Sequence, residues 1–355
     1  MKRLDGGRGL LQLEMAYKIS FIGINKYLGR TEDWLLQCAL KHEEQKKLYS
    51  ITKKAKEYLT ELRCEDLDFN DPLSTTTAAK KIKQAAKVAF YKQLLNGWKN
   101  KPLHGKFPQR TLDADVDQKN TFVWLKSSSL KAETEGFITA AQDQSIKMKN
   151  YITKIMKTGN DSNCRFCGKY QETVDHLVAG CPVLAKREYL VRHNKVASYM
   201  HWKICQHYGL PTSKEWYKHE PKPVTENDLV TVLWDFAIQT DKTIIANRPD
   251  IVIRDKKKKT CILIDVSVPS DTNTSLKTFE KISKYKDLEI ELSKSWKYKM
   301  KTVPAIIGAL GIINKSTTKY LQQIPGNINF EELQKIALLG TANILRKALS
   351  ANSLN

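Results

Sequence analysis

Two aspartates and two lysines in the last third of the chain have the residue types of a phosphodiester-cleaving site. Asp250 precedes one apolar run, Asp265 ends the next, and Lys281 and Lys284 follow within a helical pattern. If a turn near 255–259 joins the two runs as antiparallel strands, the two carboxylates lie side by side. Paired carboxylates can hold Mg²⁺ against a phosphate, and a lysine can orient the attacking water or neutralise the developing charge.

The positions of the lysines favour this chemistry over simple solvation. With about 100° per residue, Lys281 falls on the same helix face as Tyr285 and Leu292, where a solvated lysine is unusual. We therefore expect Lys281 to reach the carboxylates, whereas Lys284 lies at the edge of that face. The alternatives are surface lysines that extend their charge into water and aspartates that serve only as turn residues. Asp235 is a weaker candidate for a further ligand.

A second group of residues has the spacing of a zinc site. Two residues separate Cys164 from Cys167, eight separate Cys167 from His176, and four separate His176 from Cys181. Two thiolates on one tight turn, followed by an imidazole and a third thiolate, supply the four ligands of a tetrahedral structural zinc site. Gly168 suits the turn around the metal. The alternative is a chance group of buried cysteines and a histidine.

Other polar residues near this group have more than one interpretation. Several basic side chains either contact phosphates or form a solvated helix face. They are Arg165, Lys169, Lys186, Arg187, Arg192 and Lys195. Four residues of the helix that follows are interpreted as packing or surface groups, because four ligands already close a structural site. They are His193, His201, Cys205 and His207.

The whole chain carries a large positive charge. Its 355 residues include 59 lysines and arginines against 38 aspartates and glutamates, which gives a net charge of +21. Such an excess favours DNA or RNA as partner before an anionic membrane; a generally basic protein is the alternative. The seven cysteines are odd in number and mostly scattered, which argues against a disulfide framework. No stretch of about 18 apolar residues is present, so we expect no membrane span.

The apolar patterning predicts an α+β protein. In the first two thirds, helices are predicted at 10–65, 77–95, 121–156 and 182–207, with a loop at 97–118. A proline-rich linker lies near 210–224. It is followed by a helix through 229–238, strands at 249–254, 260–268 and 302–310, a long helix at 273–299 between the last two strands, and helices at 316–323 and 330–350. The lysine run at 256–259 indicates a hairpin turn rather than a nuclear localisation signal.

Together these residues resemble the C-terminal half of the polyprotein of non-LTR retrotransposons that carry a restriction-like endonuclease and target ribosomal DNA. Gly6–Leu10 resembles the stretch that follows the reverse transcriptase core in that family, and Trp124–Glu135 and Ala140–Gln144 resemble its connecting helical region. The set from Cys164 to Cys181 matches its CCHC zinc knuckle. Its endonuclease is matched by Arg248–Asp250, Ile264–Val266 and Lys281–Tyr285.

The resemblance implies a restriction-endonuclease-like domain that nicks the target site to prime reverse transcription. It implies Asp250 and Asp265 as Mg²⁺ ligands and Lys281 and Lys284 as catalytic or phosphate-contacting residues. One position departs from the usual restriction-like pattern, which places a lysine two residues after the second acid, where this chain has Ser267. A lysine moved to the next helix, as in the family, accounts for the difference.

The expected organisation has four segments and two metals. The segments are a helical region at 1–160, the CCHC knuckle and its helix at 161–210, the restriction-like α/β domain at 225–315 with a mixed sheet flanked by helices, and C-terminal helices at 316–355. We expect a nuclear Mg²⁺-dependent DNA endonuclease with structural Zn²⁺, which contacts DNA and also the RNA of the element. No Asp-Asp polymerase motif is present, so the chain resembles a copy truncated after the polymerase. The alternatives to an active endonuclease are a catalytically inactive nucleic-acid-binding relic and an unstable fragment. The alternative to a nuclear location is a cytoplasmic one.

Overall fold

The computed structural model describes residues 3–7, 12–45, 50–62, 75–126 and 130–351. The chain divides into two compact units, Met1–Lys101 and Pro102–Asn355. Helices dominate, and the second unit contains a five-stranded mixed sheet, so the predicted α+β class is confirmed. The division into four segments remains a prediction. Arg8–Leu10, part of one stretch that carries the resemblance, lies outside the described residues.

The first unit is helical. Its helices are α1 (Leu13–Leu28), α2 (Trp34–Gln45), α3 (Ile51–Glu61) and α4 (Thr75–Lys99). Apolar side chains on one face of α1, such as Met15 and Ile19, are buried in one cluster with Ala55 and Leu59 of α3. The predicted helix at 77–95 is confirmed, but the predicted loop from 97 begins inside α4. Gly97 does not stop this helix, because a glycine in a helix costs only about 1 kcal/mol.

The second unit begins and ends with helices. They are α5 (Lys106–Thr111), α6 (Gln118–Thr121), α7 (Ala132–Gln142), α8 (Lys149–Tyr151), α9 (Pro182–Leu184), α10 (Leu190–His207), α11 (Thr274–Lys284), α12 (Lys286–Trp296), α13 (Lys315–Leu321) and α14 (Phe330–Ser350). A π-helical turn joins α9 to α10, so the predicted helix at 182–207 is confirmed. The predicted helices at 316–323 and 330–350 correspond to α13 and α14.

Two expectations for residues 97–156 are wrong. The predicted loop contains α5. The predicted helix at 121–156 is broken into separate helices, and α7 ends near Gln144, whose φ is 54°. That left-handed backbone cannot continue a right-handed helix, and an apolar pattern alone does not reveal it.

The sheet has five strands in the order of the chain. They are β1 (Val224–Glu226), β2 (Val230–Trp234), β3 (Ile251–Asp255), β4 (Thr260–Ser267) and β5 (Lys299–Ile306). The first three pairings are antiparallel and the β4–β5 pairing is parallel. The three predicted strands are therefore confirmed, with the last one shifted towards the N-terminus, and α11 and α12 form the crossover that a parallel pair requires.

The helix predicted through 229–238 is wrong, because β2 occupies the first part of this region and pairs with β1, which precedes it. The β-branched run from Val230 to Val232 favours a strand, and the side chains of these two valines are buried on one face. Asn227 makes the turn between the strands by accepting hydrogen bonds from the backbone of Leu229 and Val230. Asp235 ends β2 with a φ of 44°.

The helix predicted at 273–299 is divided into α11 and α12 at Tyr285, which has a φ of −101° and a ψ of 8°. The second helix ends at Trp296, and Lys297 has a left-handed φ of 56°. The two helices cover one face of the sheet, where Val252 and Leu263 are buried with Leu288.

The opposite face of the sheet carries the larger core. Ile251 and Ile253 of β3 are buried there with Val196 and Met200 of α10 and with Leu333 of α14. Successive residues of a strand point to opposite faces, which is why β3 supplies both cores. A separate cluster joins α14 to α7 and to the segment that holds the predicted zinc ligands.

Candidate active site and metal centre

The β3–β4 hairpin places the two predicted carboxylates beside each other. Asp250 directly precedes β3, Asp265 lies within β4, and Ile251 is registered opposite Ile264. Extending this antiparallel register by one residue sets Asp250 opposite Asp265. The lysine run at 256–259 forms the turn between the strands.

Asp265 is deeply enclosed, with 3% of its side chain exposed. Its Oδ1 accepts a hydrogen bond of 2.6 Å from the hydroxyl of Tyr285. The Nζ of Lys281 lies 2.5 Å from Oδ2, and the Nζ of Lys284 lies 3.7 Å from Oδ1. Within the described residues, Oδ2 accepts no aligned hydrogen bond and faces Lys281 as an ion pair. A buried carboxylate oxygen in this state retains capacity to bind a cation.

The residues that the sequence assigns to one helix face are divided between α11, which carries the lysines, and α12 beyond the break at Tyr285. Tyr285, Leu288 and Leu292 are buried, and Lys281 lies one turn before Tyr285. The side chain of Lys281 is 21% exposed, so it is largely covered as it reaches Asp265. The side chain of Lys284 is 44% exposed and donates to the Tyr285 hydroxyl at 2.8 Å.

Tyr285 connects the carboxylate to the chain segment before β3. Besides Asp265, its hydroxyl contacts the carbonyl oxygen of Arg248 at 3.0 Å. Burial, together with the nearby Asp265 carboxylate, raises the pKa of Tyr285 above its usual value. The phenol therefore stays protonated at neutral pH and remains available as a donor to Asp265.

Asp250 has a partner that sequence reasoning missed. Its Oδ2 accepts a hydrogen bond of 2.6 Å from the backbone N–H of Val266, and Nε2 of His193 lies 3.1 Å from the same oxygen. The interpretation of His193 as a packing or surface group is therefore wrong. No sequence spacing relates His193 to Asp250, because the contact depends on how α10 crosses the sheet.

His193 is positively charged at neutral pH in this environment. Burial lowers the pKa of its imidazole, but the hydrogen bond and the charge of Asp250 outweigh that effect and raise the pKa to about 9. The site thus contains two acidic groups and three cationic groups, namely Asp250, Asp265, His193, Lys281 and Lys284.

The carboxylates match the oxygen ligands that Mg²⁺ prefers, which usually number one or two from the protein, with waters and substrate phosphate completing the octahedron. His193 contacts Asp250, but in the described part of the chain neither Asp250 nor Asp265 belongs to a group of three His, Cys, Asp or Glu side chains whose ligand atoms all lie within 4.8 Å of one another. The weaker candidate, Asp235, is paired with Arg248 at 2.8 Å. The lysines lie where they can contact a phosphate bound at the carboxylates.

The four predicted zinc ligands converge on one point. The ligand atoms of Cys164, Cys167, His176 and Cys181 all lie within 4.8 Å of one another. The Sγ atoms of Cys164 and Cys181 are 3.9 Å apart, and Sγ of Cys167 is 3.4 Å from Nε2 of His176. Ligand atoms of a tetrahedral zinc ion lie about 3.5–3.8 Å apart, so the group fits a four-coordinate metal ion of this kind.

A tight turn and a tyrosine position these ligands. Gly168 has a left-handed φ of 64° and its N–H donates to the carbonyl oxygen of Cys164, which closes the turn that holds the first two cysteines. The hydroxyl of Tyr189 accepts from the N–H of Cys181 at 3.0 Å and lies 3.1 Å from the carbonyl oxygen of His176. Pro182 begins α9 directly after the last cysteine, as the sequence indicates.

The thiols of Cys164 and Cys167 differ in acidity. Burial raises the pKa of the Cys164 thiol to about 11. At Cys167 the backbone N–H of Lys169 favours the thiolate and lowers the pKa of the thiol.

Two arginines that were candidates for phosphate contact are engaged inside the protein. Arg165 forms an ion pair of 2.5 Å with Glu172, whose side chain is fully buried, and also donates to the carbonyl oxygen of Ala348. Arg192 is buried and donates to Thr341. The phosphate-contact interpretation is therefore wrong for both. The remaining candidates are exposed, namely Lys169, Lys186, Arg187 and Lys195.

A comparison of the chain with protein-family models and with curated proteins finds no match. Among the described residues, no helix has the length and apolar character needed to cross a bilayer.

Proposed function

We propose that this protein is a Mg²⁺-dependent DNA endonuclease of the kind carried by non-LTR retrotransposons, with a zinc knuckle that helps it to hold DNA and the RNA of the element. The observation that carries the proposal is the contact of Lys281 with the buried carboxylate of Asp265, beside Asp250. Two adjacent carboxylates can hold a metal ion for phosphodiester hydrolysis, and a covered lysine can stabilise the charge that develops on the phosphate. A nuclear location follows from a DNA target.

Asp250 and Asp265 would hold Mg²⁺, which supplies charge stabilisation and an acidified water when bound. Asp265 Oδ2 accepts no aligned hydrogen bond and is held only by its ion pair with Lys281, so Mg²⁺ would share this oxygen with the lysine. Lys281 would then hold the scissile phosphate or the attacking water, and Lys284, being more exposed, would contact a flanking phosphate. His193 would keep Asp250 in place through its hydrogen bond and ionic contact.

The knuckle ligands would hold one Zn²⁺ ion, which fixes the hairpin around Cys164 and Cys167 to the helix that starts at Pro182. Lys169, Lys186 and Lys195 are exposed and would contact phosphates. The net charge of +21 supports a polyanionic partner.

A second candidate is a nucleic-acid-binding relic without cleavage activity. One observation favours it: Lys281 and Lys284 already neutralise Asp265 within the protein, and no third carboxylate among the described residues strengthens the metal site. Binding would then depend on the basic surface alone.

Nicking of supercoiled plasmid by the full chain distinguishes these functions. The wild type is compared with Asp265→Asn and Lys281→Ala, with Mg²⁺ present or omitted; chelators are avoided because they would also remove zinc. Lys277→Ala is the matched control, since Lys277 lies on the same helix but pairs with Glu280 on the surface. We expect the wild type and Lys277→Ala to nick DNA only with Mg²⁺, and the two site variants to bind DNA without nicking it.

Equal nicking by Asp265→Asn and the wild type would contradict the assigned site. Binding by all variants with no nicking by any of them would establish the relic instead.

A further inference from the structure

A second group of metal-ligating side chains lies outside the zinc knuckle and the carboxylate site. His201 and Cys205 are four residues apart on α10, and His219 follows the single turn Trp216–Lys218. Their ligand atoms all lie within 4.8 Å of one another, and His201 and Cys205 are buried. The sequence spacing of His201 and Cys205 indicates only two neighbours on a helix face, and nothing in it brings His219 to them.

The distances between these atoms are close to those of ligands on one ion. Nδ1 of His201 lies 3.6 Å from Sγ of Cys205 and 2.8 Å from Nε2 of His219. Tetrahedral zinc places a nitrogen and a sulfur ligand about 3.5 Å apart and two nitrogen ligands about 3.3 Å apart. The first distance already fits, and the second needs to lengthen by about half an ångström, which a small rotation of the half-buried His219 ring supplies.

Packing alone accounts for only part of this arrangement. The two imidazole rings stack with their centroids 5.1 Å apart, and the ring of Trp234 contacts that of His201 edge to face at 5.6 Å. A hydrogen bond between the rings satisfies one nitrogen of each. Helix spacing places the Cys205 thiol beside His201, and the hydrogen bond brings His219 to His201. All three ligand atoms also meet within 4.8 Å, and two imidazoles with a thiolate are a ligand set typical of zinc.

We propose that His201, Cys205 and His219 form a second zinc site, which fastens the segment between α10 and β1 to α10. Three protein ligands leave one position of the tetrahedron for water, since no fourth His, Cys, Asp or Glu in the described part of the chain lies within reach. The segment is already attached at two points. Ser198 donates to the carbonyl oxygen of His219 at 3.2 Å, and Trp202 donates to that of Ser213 at 2.9 Å.

This second site is independent of the proposed nuclease chemistry, but it lies on the helix that supplies a contact to Asp250. His193 and His201 are eight residues apart on α10, or about 12 Å along the helix axis. A metal at His201 would tie the C-terminal half of α10 to the segment that leads into β1. The ligand sets also differ chemically, because this site offers one thiolate and the knuckle offers three.

Metal content of the full chain tests the proposal. The protein is equilibrated with Zn²⁺, freed of unbound metal by gel filtration, and analysed for zinc per chain. We expect about two zinc ions in the wild type, about one in His219→Gln, about one in Cys167→Ser, and none in the double variant. His207→Gln is the matched control, since His207 is an exposed histidine on the same helix and should leave the content at two.

Cobalt substitution identifies the site in the same proteins. The cobalt ion that remains in the Cys167→Ser variant should give a sulfur-to-cobalt charge-transfer band for one thiolate. Adding Cys205→Ser to this variant should abolish that band. His219 lies outside the helix and is only half buried, so its substitution should preserve the circular dichroism spectrum. Two zinc ions in a folded His219→Gln protein, or a single zinc in the wild type that Cys167→Ser removes completely, would overturn the proposal. A single zinc that His219→Gln removes would support it and count against the knuckle.

Discussion

The hydroxyl of Tyr285 donates a hydrogen bond of 2.6 Å to Oδ1 of Asp265, and both side chains are buried between the sheet and the crossover helices. Tyr285 therefore has both a packing role and a positioning role. It fills the apolar face of the crossover, and it fixes the orientation of the carboxylate that also contacts Lys281.

Replacing Tyr285 with Phe tests this contact. We expect the free energy of unfolding to fall by about 1.5–3 kcal/mol, because a hydrogen bond to a buried charged group is lost while the ring volume is kept. Urea denaturation at neutral pH measures the change. Tyr217→Phe is a suitable control, since Tyr217 is 67% exposed, and an equal effect in both variants would contradict the importance of the contact.

The two lysines at Asp265 should differ in their effect on stability. Lys281→Ala leaves a 3%-exposed carboxylate without its close counter-ion, and we expect a loss of about 1–3 kcal/mol after allowance for partial exposure of the lysine. Lys284→Ala should cost less than about 1 kcal/mol, because its side chain is 44% exposed and its Nζ is 3.7 Å from the carboxylate. Urea denaturation of both variants gives the loss of unfolding free energy for each. A larger loss for Lys284→Ala than for Lys281→Ala would exclude this account.

The ion pair of His193 and Asp250 should make stability depend on pH. The pKa of His193 is raised from 6.5 to about 9, so its stabilisation is complete below pH 6.5 and is lost as the pH rises through 9. Over that window we expect the wild type to lose at most about 3 kcal/mol, at about 1.4 kcal/mol per unit of pKa shift. His193→Gln should flatten the profile, whereas His207→Gln should leave it unchanged. Unfolding free energies measured from pH 6 to pH 9 provide the test, and parallel curves for the wild type and His193→Gln would refute it.

The buried ion pair between Arg165 and Glu172 should support the knuckle. Glu172 also accepts from the backbone N–H of Lys149 at 3.0 Å, so its carboxylate joins three parts of this region. Glu172→Gln leaves the arginine charge uncompensated, and we expect a loss of about 3–5 kcal/mol together with weaker zinc binding. Thermal unfolding and competition with a zinc indicator measure the two effects. Glu226→Gln, which breaks a surface pair with Lys256, should change neither quantity appreciably.

DNA binding should be strongly sensitive to salt. If six or more lysines and arginines contact phosphates, the dissociation constant should rise about a thousandfold between about 50 and 200 mM salt. Fluorescence anisotropy of a labelled duplex, read over a salt series without Mg²⁺, gives the slope. An affinity that is nearly constant over the series would rule out binding through the basic surface.

Local pattern was sufficient for the hairpin and for the cluster of Cys164, Cys167, His176 and Cys181. The alternation of apolar residues and the lysine turn at 256–259 predict β3 and β4, and the spacing from Cys164 to Cys181 predicts one cluster of ligands. The helix face of Lys281 is also predictable, because helix geometry alone places it with Tyr285. These features depend on residues that are near one another in the chain.

Contacts between distant segments could not be predicted in this way. His193 meets Asp250 across 57 residues, and Arg165 pairs with a glutamate and a carbonyl oxygen that no spacing rule relates to it.

The helix predicted at 229–238 failed for a different reason. Five-residue β2 is too short for its alternation to outweigh the helical spacing of Leu229 and Leu233, and pairing with β3 decides the outcome.

The place of α14 in the sequence affects the order in which the protein can assemble during synthesis. This helix buries Leu333 and Ile336 in the core beneath the sheet, and Leu338 and Leu345 in the cluster around the knuckle. Both cores therefore stay open on one side until α14 has been synthesised and has left the ribosome. A chain interrupted at residue 329 would carry every ligand and lysine discussed above, yet it would expose the apolar surfaces that α14 covers and would be a substrate for chaperones and proteases.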